Sequence, residues 1–136
     1  MTFAGVNYLA ILVAAIAAFA FGAAYYNVLS KPWIKATGVD MTKPGKPLAP
    51  MLVNSFVCLL IMAFVLAYLI GYFGPGNVTF STGIVSAFFV WLGFIATTTA
   101  VNQRYEGFGW DLTLIDVAHW LGVMLIMGAI IGLWGV

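Results

Sequence analysis

Polar and apolar positions do not alternate along this chain; they segregate into long blocks. Residues 1–30, 47–103 and 112–136 are dominated by apolar side chains, and two short polar windows, 31–46 and 104–111, separate them. A helix needs about 20 apolar residues to cross roughly 30 Å of hydrocarbon. The first and last blocks each hold one such span, and the middle block holds two. Gly74-Pro75-Gly76-Asn77 is the strong turn signal that divides the middle block. The pattern predicts helices over about 5–29, 50–73, 80–103 and 111–133. That is an all-α integral membrane protein, a four-transmembrane-helix bundle forming one domain. Pro50 suits the first helical position, where its missing N–H costs nothing, and Asp111 is placed to cap the last helix. The loop 30–49 carries Pro32, Pro44 and Pro47, which rule out one continuous helix through it. Within it, Trp33-Ile34 between Lys31 and Lys35 reads as an interfacial anchor, or as a diffuse site for anionic headgroups.

Composition sharpens this picture. Hydrophobic residues make up 64% of the 136 and charged residues only 7%, where a soluble domain carries roughly 25%. So little polar surface excludes disorder, a secreted disulfide scaffold and a nucleic-acid binder. The single cysteine, Cys58, leaves no intrachain disulfide and no cysteine metal cluster. Ala18-Phe19-Ala20 has the look of a signal cleavage site, but no Lys or Arg precedes the apolar run, and the run is long for a signal sequence. The first helix is therefore expected to be a permanent span.

Charge sets the direction. All five Lys/Arg (Lys31, Lys35, Lys43, Lys46, Arg104) fall in the two polar windows, which four spans place on one face. The positive-inside rule puts that face in the cytoplasm and both termini outside. The expected location is a cell membrane crossed several times, with the termini on its periplasmic or outer side. Tyr25, Tyr26, Trp33, Tyr105 and Trp110 fit a cytoplasmic aromatic belt, and Tyr8, Tyr72, Phe73 and Trp134 an outer one.

Apolar burial does not drive helices together in lipid, whereas close approach through small residues does. Small residues recur every four positions: Ala10, Ala14, Ala18 and Gly22; Ala63, Ala67 and Gly71; Gly83 and Ala87, then Ala96 and Ala100; Ala118 and Gly122, then Gly128 and Gly132. Some of these stripes are candidates for contact with another subunit. The expected partners are therefore the bilayer and a second copy or a larger membrane complex.

The polar residues inside the spans concentrate near the cytoplasmic ends. At about 1.5 Å per residue, Asn27 lies roughly 6 Å inside Lys31, Thr98 about 9 Å inside Arg104, and Asp116 and His119 about 7.5 and 12 Å inside Asp111. Asp116 and His119 share a helix face at i and i+3, as do Thr98 and Asn102 at i and i+4. A carboxylate in the bilayer is costly and faces the bundle interior or a water-filled cavity. Asp116, His119, Asn102, Thr98, Asn54 and Asn27 are therefore expected to gather in a cytoplasm-facing polar pocket. Two readings stand side by side: hydrogen bonds that pin the helix register, or a site for a polar ligand or for proton transfer through His119. One His and one Cys build no metal site within a chain and supply no haem ligand pair. Nucleotide-binding and nucleophile-elbow motifs do not occur. No cofactor is expected. Trp91 and Trp120 read as packing residues.

Two stretches carry a family resemblance. One is Phe21-Gly22-Ala23-Ala24-Tyr25-Tyr26 with Lys31-Pro32-Trp33. The other runs Trp91-Leu92-Gly93-Phe94-Ile95-Ala96-Thr97-Thr98, Asn102, Tyr105-Glu106-Gly107, Leu114-Ile115-Asp116 and Gly128-Ala129-Ile130-Ile131-Gly132. The chain resembles, over nearly its whole length, the bacterial membrane family catalogued as "domain of unknown function 1761". Tyr25-Tyr26 stands where that family often has Trp-Tyr, and Ser30-Lys31 where it often has Gly-Lys. The resemblance implies four spans in the inner membrane of a bacterium and carries no activity. Three functions follow as expectations: an oligomerising binding or structural module, a small transporter or channel, and an intramembrane enzyme using Asp116 and His119 as an acid–base pair.

Overall fold

The computed structural model describes residues 6–134. It contains helices α1 (Tyr8–Val28), α2 (Ser30–Thr37), α3 (Leu48–Gly71), α4 (Phe80–Tyr105) and α5 (Trp110–Trp134). All but α2 are long and apolar enough to cross a membrane. The expected start of the first helix at Gly5 lies outside the described residues.

Local chemistry sets the ends. Asn7 caps α1, its Oδ1 accepting from the Ala10 N–H at 3.1 Å. Pro32 has no N–H to give the Val28 carbonyl, and its ring would crowd that oxygen. The helix therefore breaks at Leu29 (φ −99°, ψ 22°) and restarts as α2, with Pro32 tolerated in the new first turn. Gly38 at φ 69° ends α2 in the left-handed conformation that glycine adopts freely. Pro50 lies two residues inside α3, still in the first turn, where its missing donor costs nothing. Thr79 and Thr82 form a reciprocal capping box for α4. Asp111 is the second residue of α5, and its Oδ1 accepts from the Leu112 N–H at 2.9 Å.

Several of the small-residue stripes are used inside the bundle, although Ala118 is exposed and Ala96 and Ala100 only half-buried. Ala14, Ala15 and Ala18 of α1, Ala63 and Ala67 of α3 and Ala87 of α4 are buried. At the α4–α5 crossing the backbones touch: a methyl on Gly83 would strike the Gly128 carbonyl oxygen, and one on Gly132 the Thr79 carbonyl. The Gly128–Gly132 pair, a sequence signal that fits either a second subunit or packing within the bundle, is here packed against the start of α4. Between α1 and α5, Phe21 lies over Gly122. Between α1 and α3, Phe19 and Phe56 meet edge to face at 5.9 Å. Leu66, Ile70, Met124, Met127 and Ile131 fill the space that remains. Outward faces carry exposed apolar side chains such as Val57, Ile61, Phe89 and Phe94, as hydrocarbon contact requires.

The third span is not a uniform α-helix. Residues Trp91–Ala96 form a π-turn, in which the ladder runs i→i+5 and one extra residue is accommodated. Each residue turns an α-helix by about 100°, so an insertion re-aims everything beyond it. From buried Gly83 and Ala87, the inward positions continue at half-buried Trp91, Ile95 and Thr99 and at buried Gln103. An unbroken α-helix starting from Ala87 would have turned residues 94, 98 and 102 inward instead.

Candidate functional site

The site is built on the first turns of α5, against the last turn of α1 and the last turn of α4. Asp116, half-buried, accepts at Oδ1 from the Tyr26 hydroxyl (2.8 Å) and at Oδ2 from Gln103 Nε2 (2.7 Å). Gln103 Oε1 accepts from the Thr113 hydroxyl at 2.6 Å. The Thr113 oxygen in turn accepts from Arg104 Nη2. Arg104 also donates to the Gly109 carbonyl at 2.8 Å, and its guanidinium carbon lies 4.0 Å from the centre of the Trp110 ring. Thr113 has one proton to give. It accepts from the cation and donates to the amide, and the amide donates to the carboxylate. Every dipole in this relay points the same way, from guanidinium to carboxylate. The relay links the guanidinium to the carboxylate without the direct ion pair that would cover it.

Two further polar tips lock the same stretch of α5. The Tyr25 hydroxyl donates to the Ile115 carbonyl at 2.6 Å, and the Trp91 indole donates to the Val117 carbonyl at 2.8 Å. Asp116 thus lies between two backbone carbonyls that are each held from a neighbouring helix.

His119 lies one turn deeper, at 7% exposure, in an aromatic box. Its ring stacks on Phe21 (6.1 Å, 9°) and lies 4.7 Å from both Tyr26 and Trp120. Its Nδ1 is buried and makes no hydrogen bond among the described residues. Asp116 and His119 do not bond each other: Tyr26 stands between them, hydroxyl on the carboxylate and ring against the imidazole. The two share the helix face that i, i+3 spacing gives them, linked through Tyr26 and not by a direct bond.

Beside the carboxylate lies a depression of about 510 Å³, lined by Tyr26, Ser30, Trp33, Ile34, Met41 and Asp116. Ser30, Trp33 and Ile34 are one face of α2 at i, i+3 and i+4, so this helix walls the site. Met41 is carried on a turn closed by Asp40, whose Oδ1 accepts from the Thr42 N–H (2.9 Å) and hydroxyl (2.6 Å). Those two bonds hold the Asp40 carboxyl below the usual carboxylate range. Each Asp116 oxygen uses one hydrogen bond where it has room for two. The carboxylate therefore keeps acceptor capacity at the wall of an aromatic-lined space.

Of the six residues expected to gather, the structure assembles Asp116 and His119 around Tyr26. Asn27, Asn54, Thr98 and Asn102 are exposed, with no side-chain hydrogen bond among the described residues. For Thr98 and Asn102 the cause is the π-turn, which brings Gln103 inward in their place. For Asn27 it is its neighbour: Tyr26, about 100° round the helix, takes the inward position. Asn54 faces outward on α3, next to Ser55, whose hydroxyl bonds its own helix at Met51 (2.9 Å). Sequence reading missed Tyr26, Gln103, Thr113 and Arg104. Thr113, one turn before Asp116, was open to the same i, i+3 argument that paired Asp116 with His119. Among the described residues no group of three or more His, Cys, Asp or Glu gathers to hold a metal.

Four apolar helices of membrane-spanning length, with the Asp116 carboxylate held between three of them and an amphipathic helix walling its approach, define a small multi-pass membrane protein. The chain belongs to the family described as "Protein of unknown function (DUF1761)", which it matches over residues 9–132. No curated protein and no solved structure matches it.

Proposed function

We propose that this protein is a membrane binding module whose site is the Asp116 depression, and that the site takes a small positively charged group. The two polar windows, with all five Lys/Arg, lie on the cytoplasmic side and both termini lie outside, so the depression opens at the cytoplasmic interface. The observation that carries the reading is the unspent acceptor capacity of Asp116 beside the rings of Tyr26 and Trp33. Carboxylate and π-faces together are the chemistry of a cation site. A purely register-pinning role accounts for the bonds to Tyr26 and Gln103. It does not account for an in-span charge, which an asparagine would avoid, or for the space beside it. Transport has less support: of Asn7, Thr82 and Ser86, the polar residues of the outer half, the first two spend side-chain hydrogen bonds on helix starts. The site is formed by residues of one chain, so the reading needs no second copy.

Met41 gives a local probe. With methyl-labelled methionine and Met41 assigned through Met41→Leu, adding ethanolamine to the purified protein in micelles is expected to shift the Met41 methyl resonance, and Asp116→Asn is expected to abolish the shift. A Met41 signal indifferent to ethanolamine, or an equal response in Asp116→Asn, overturns the proposal.

A further inference from the structure

We infer that the occupant of the Asp116 depression is the headgroup of a zwitterionic aminophospholipid of the surrounding bilayer, its primary ammonium on Asp116 and its phosphate at Lys31 and Lys35. The inference rests on the binding reading above and adds the ligand class. The first argument is charge. A soluble amine must approach past Lys31, Lys35, Lys43 and Lys46, which Asp40 alone offsets in that loop. A zwitterion has a partner for both signs. Lys31 and Lys35 are exposed and lie one residue on from Ser30 and Ile34, two of the α2 residues that line the depression. That is about 100° round the helix, which puts both lysines on the exposed face of α2 next to the face that lines the depression with Asp116. The second argument is hydrogen bonding. The free lone pairs of Asp116 call for N–H donors. An ethanolamine ammonium brings three, whereas a choline group brings none and reaches the site only through its charge and the Tyr26 and Trp33 rings. The third is location. The wall opposite the carboxylate is the apolar edge of α2, Trp33 and Ile34, with Met41 beside it. That surface suits a molecule whose glycerol and chains stay in the membrane.

The test uses the full chain in detergent, offered equal parts of phosphatidylethanolamine, phosphatidylcholine and phosphatidylglycerol with identical acyl chains, with retained lipid counted by native mass spectrometry. Phosphatidylethanolamine is expected to be retained roughly tenfold over phosphatidylcholine, the value of a hydrogen bond to a charged group. The exposed double variant Lys31→Gln/Lys35→Gln, which leaves the core untouched, is expected to lower retention by about fivefold per lysine. Asp116→Asn is expected to erase the preference between the two zwitterions. Equal retention of the two, phosphatidylglycerol displacing both, or a preference unchanged in the variants overturns the inference. If the Met41 response to ethanolamine persists while no lipid preference appears, the lipid assignment fails and the cation site stands; if neither appears, both fail.

Discussion

Thr113→Val cuts the relay at its middle link. Valine keeps the shape of threonine and removes only the hydroxyl. Gln103 Oε1 then loses the 2.6 Å donor it has, and Arg104 keeps only the Gly109 carbonyl and the Trp110 ring. A buried polar atom left without a partner costs about 1–3 kcal/mol in soluble proteins. Hydrogen bonds between membrane helices average only about 0.6 kcal/mol, with a maximum near 1.7, because the disrupted state finds other partners. Burial decides between these scales. Thr113 is 4% and Gln103 8% exposed, so water cannot readily replace the lost group, and the loss is expected at about 1–2 kcal/mol. Gln103→Leu removes the same link from the other side and frees one Asp116 oxygen. If the chain of bonds works as a unit, Thr113→Val/Gln103→Leu falls short of the sum of the single variants by about 1 kcal/mol. The assay is unfolding in mixed micelles by increasing sodium dodecyl sulfate. Thr97→Val is the control: that hydroxyl is exposed and bonds only its own helix at the Gly93 carbonyl (2.8 Å), so its effect is expected within about 0.5 kcal/mol. Strict additivity of the pair, or a Thr113→Val variant as stable as the control, refutes the relay.

Gly83→Ala puts a methyl into the Gly128 carbonyl oxygen, which belongs to a backbone that cannot rotate away; it is expected to cost about 1–3 kcal/mol in the same assay. Gly93→Ala meets nothing within 4 Å and is expected to be neutral or stabilising by up to about 1 kcal/mol, so the reverse order would dismiss the α4–α5 contact. Asp40, held below its ordinary value by Thr42, supports its turn at pH above the unfolded carboxylate value and releases it as pH falls through the lowered folded value. Thr42→Ala is expected to move the carboxyl titration of Asp40 back up in carbon-detected NMR, and an unmoved titration contradicts the turn.

Block-wise hydropathy made the spans legible, because a membrane demands length and apolarity of any helix that crosses it. The small-residue stripes were legible for the same reason, and Asp116 was legible as a costly charge. What could not be read was azimuth. Choosing Asn27 over Tyr26, or Asn102 over Gln103, is a choice between adjacent positions about 100° apart, and amide-bearing residues looked more polar than a tyrosine assigned to the interface. The belt assignment of Tyr25 and Tyr26 overlooked that a hydroxyl at that depth can also donate inward, to Asp116 and to the Ile115 carbonyl. Trp33-Ile34 reads as an anchor or a headgroup site, because amphipathy does not say what the apolar edge meets. In the structure that edge lines the depression.

A π-turn is an α-helix carrying one inserted residue, so a deletion within it heals the helix while a deletion beyond it does not. Phe94 lies inside the turn and is exposed. Without it the ladder returns to i→i+4, and residues 95, 99 and 103 take the inward slots that a regular helix gives to 94, 98 and 102. Gln103 still meets Asp116. Val101 is also exposed but lies past the turn. Removing it keeps the insertion and swings Gln103 about 100° away, so that the carboxylate loses its 2.7 Å donor. Each deletion shortens the span by one residue, so length does not separate them; only azimuth does. The Phe94 deletion is therefore expected to keep the Met41 response to ethanolamine and most of the stability, and the Val101 deletion to lose both. Equal damage from the two, or the milder effect at Val101, would mean that the turn does not set which face of α4 reaches the site.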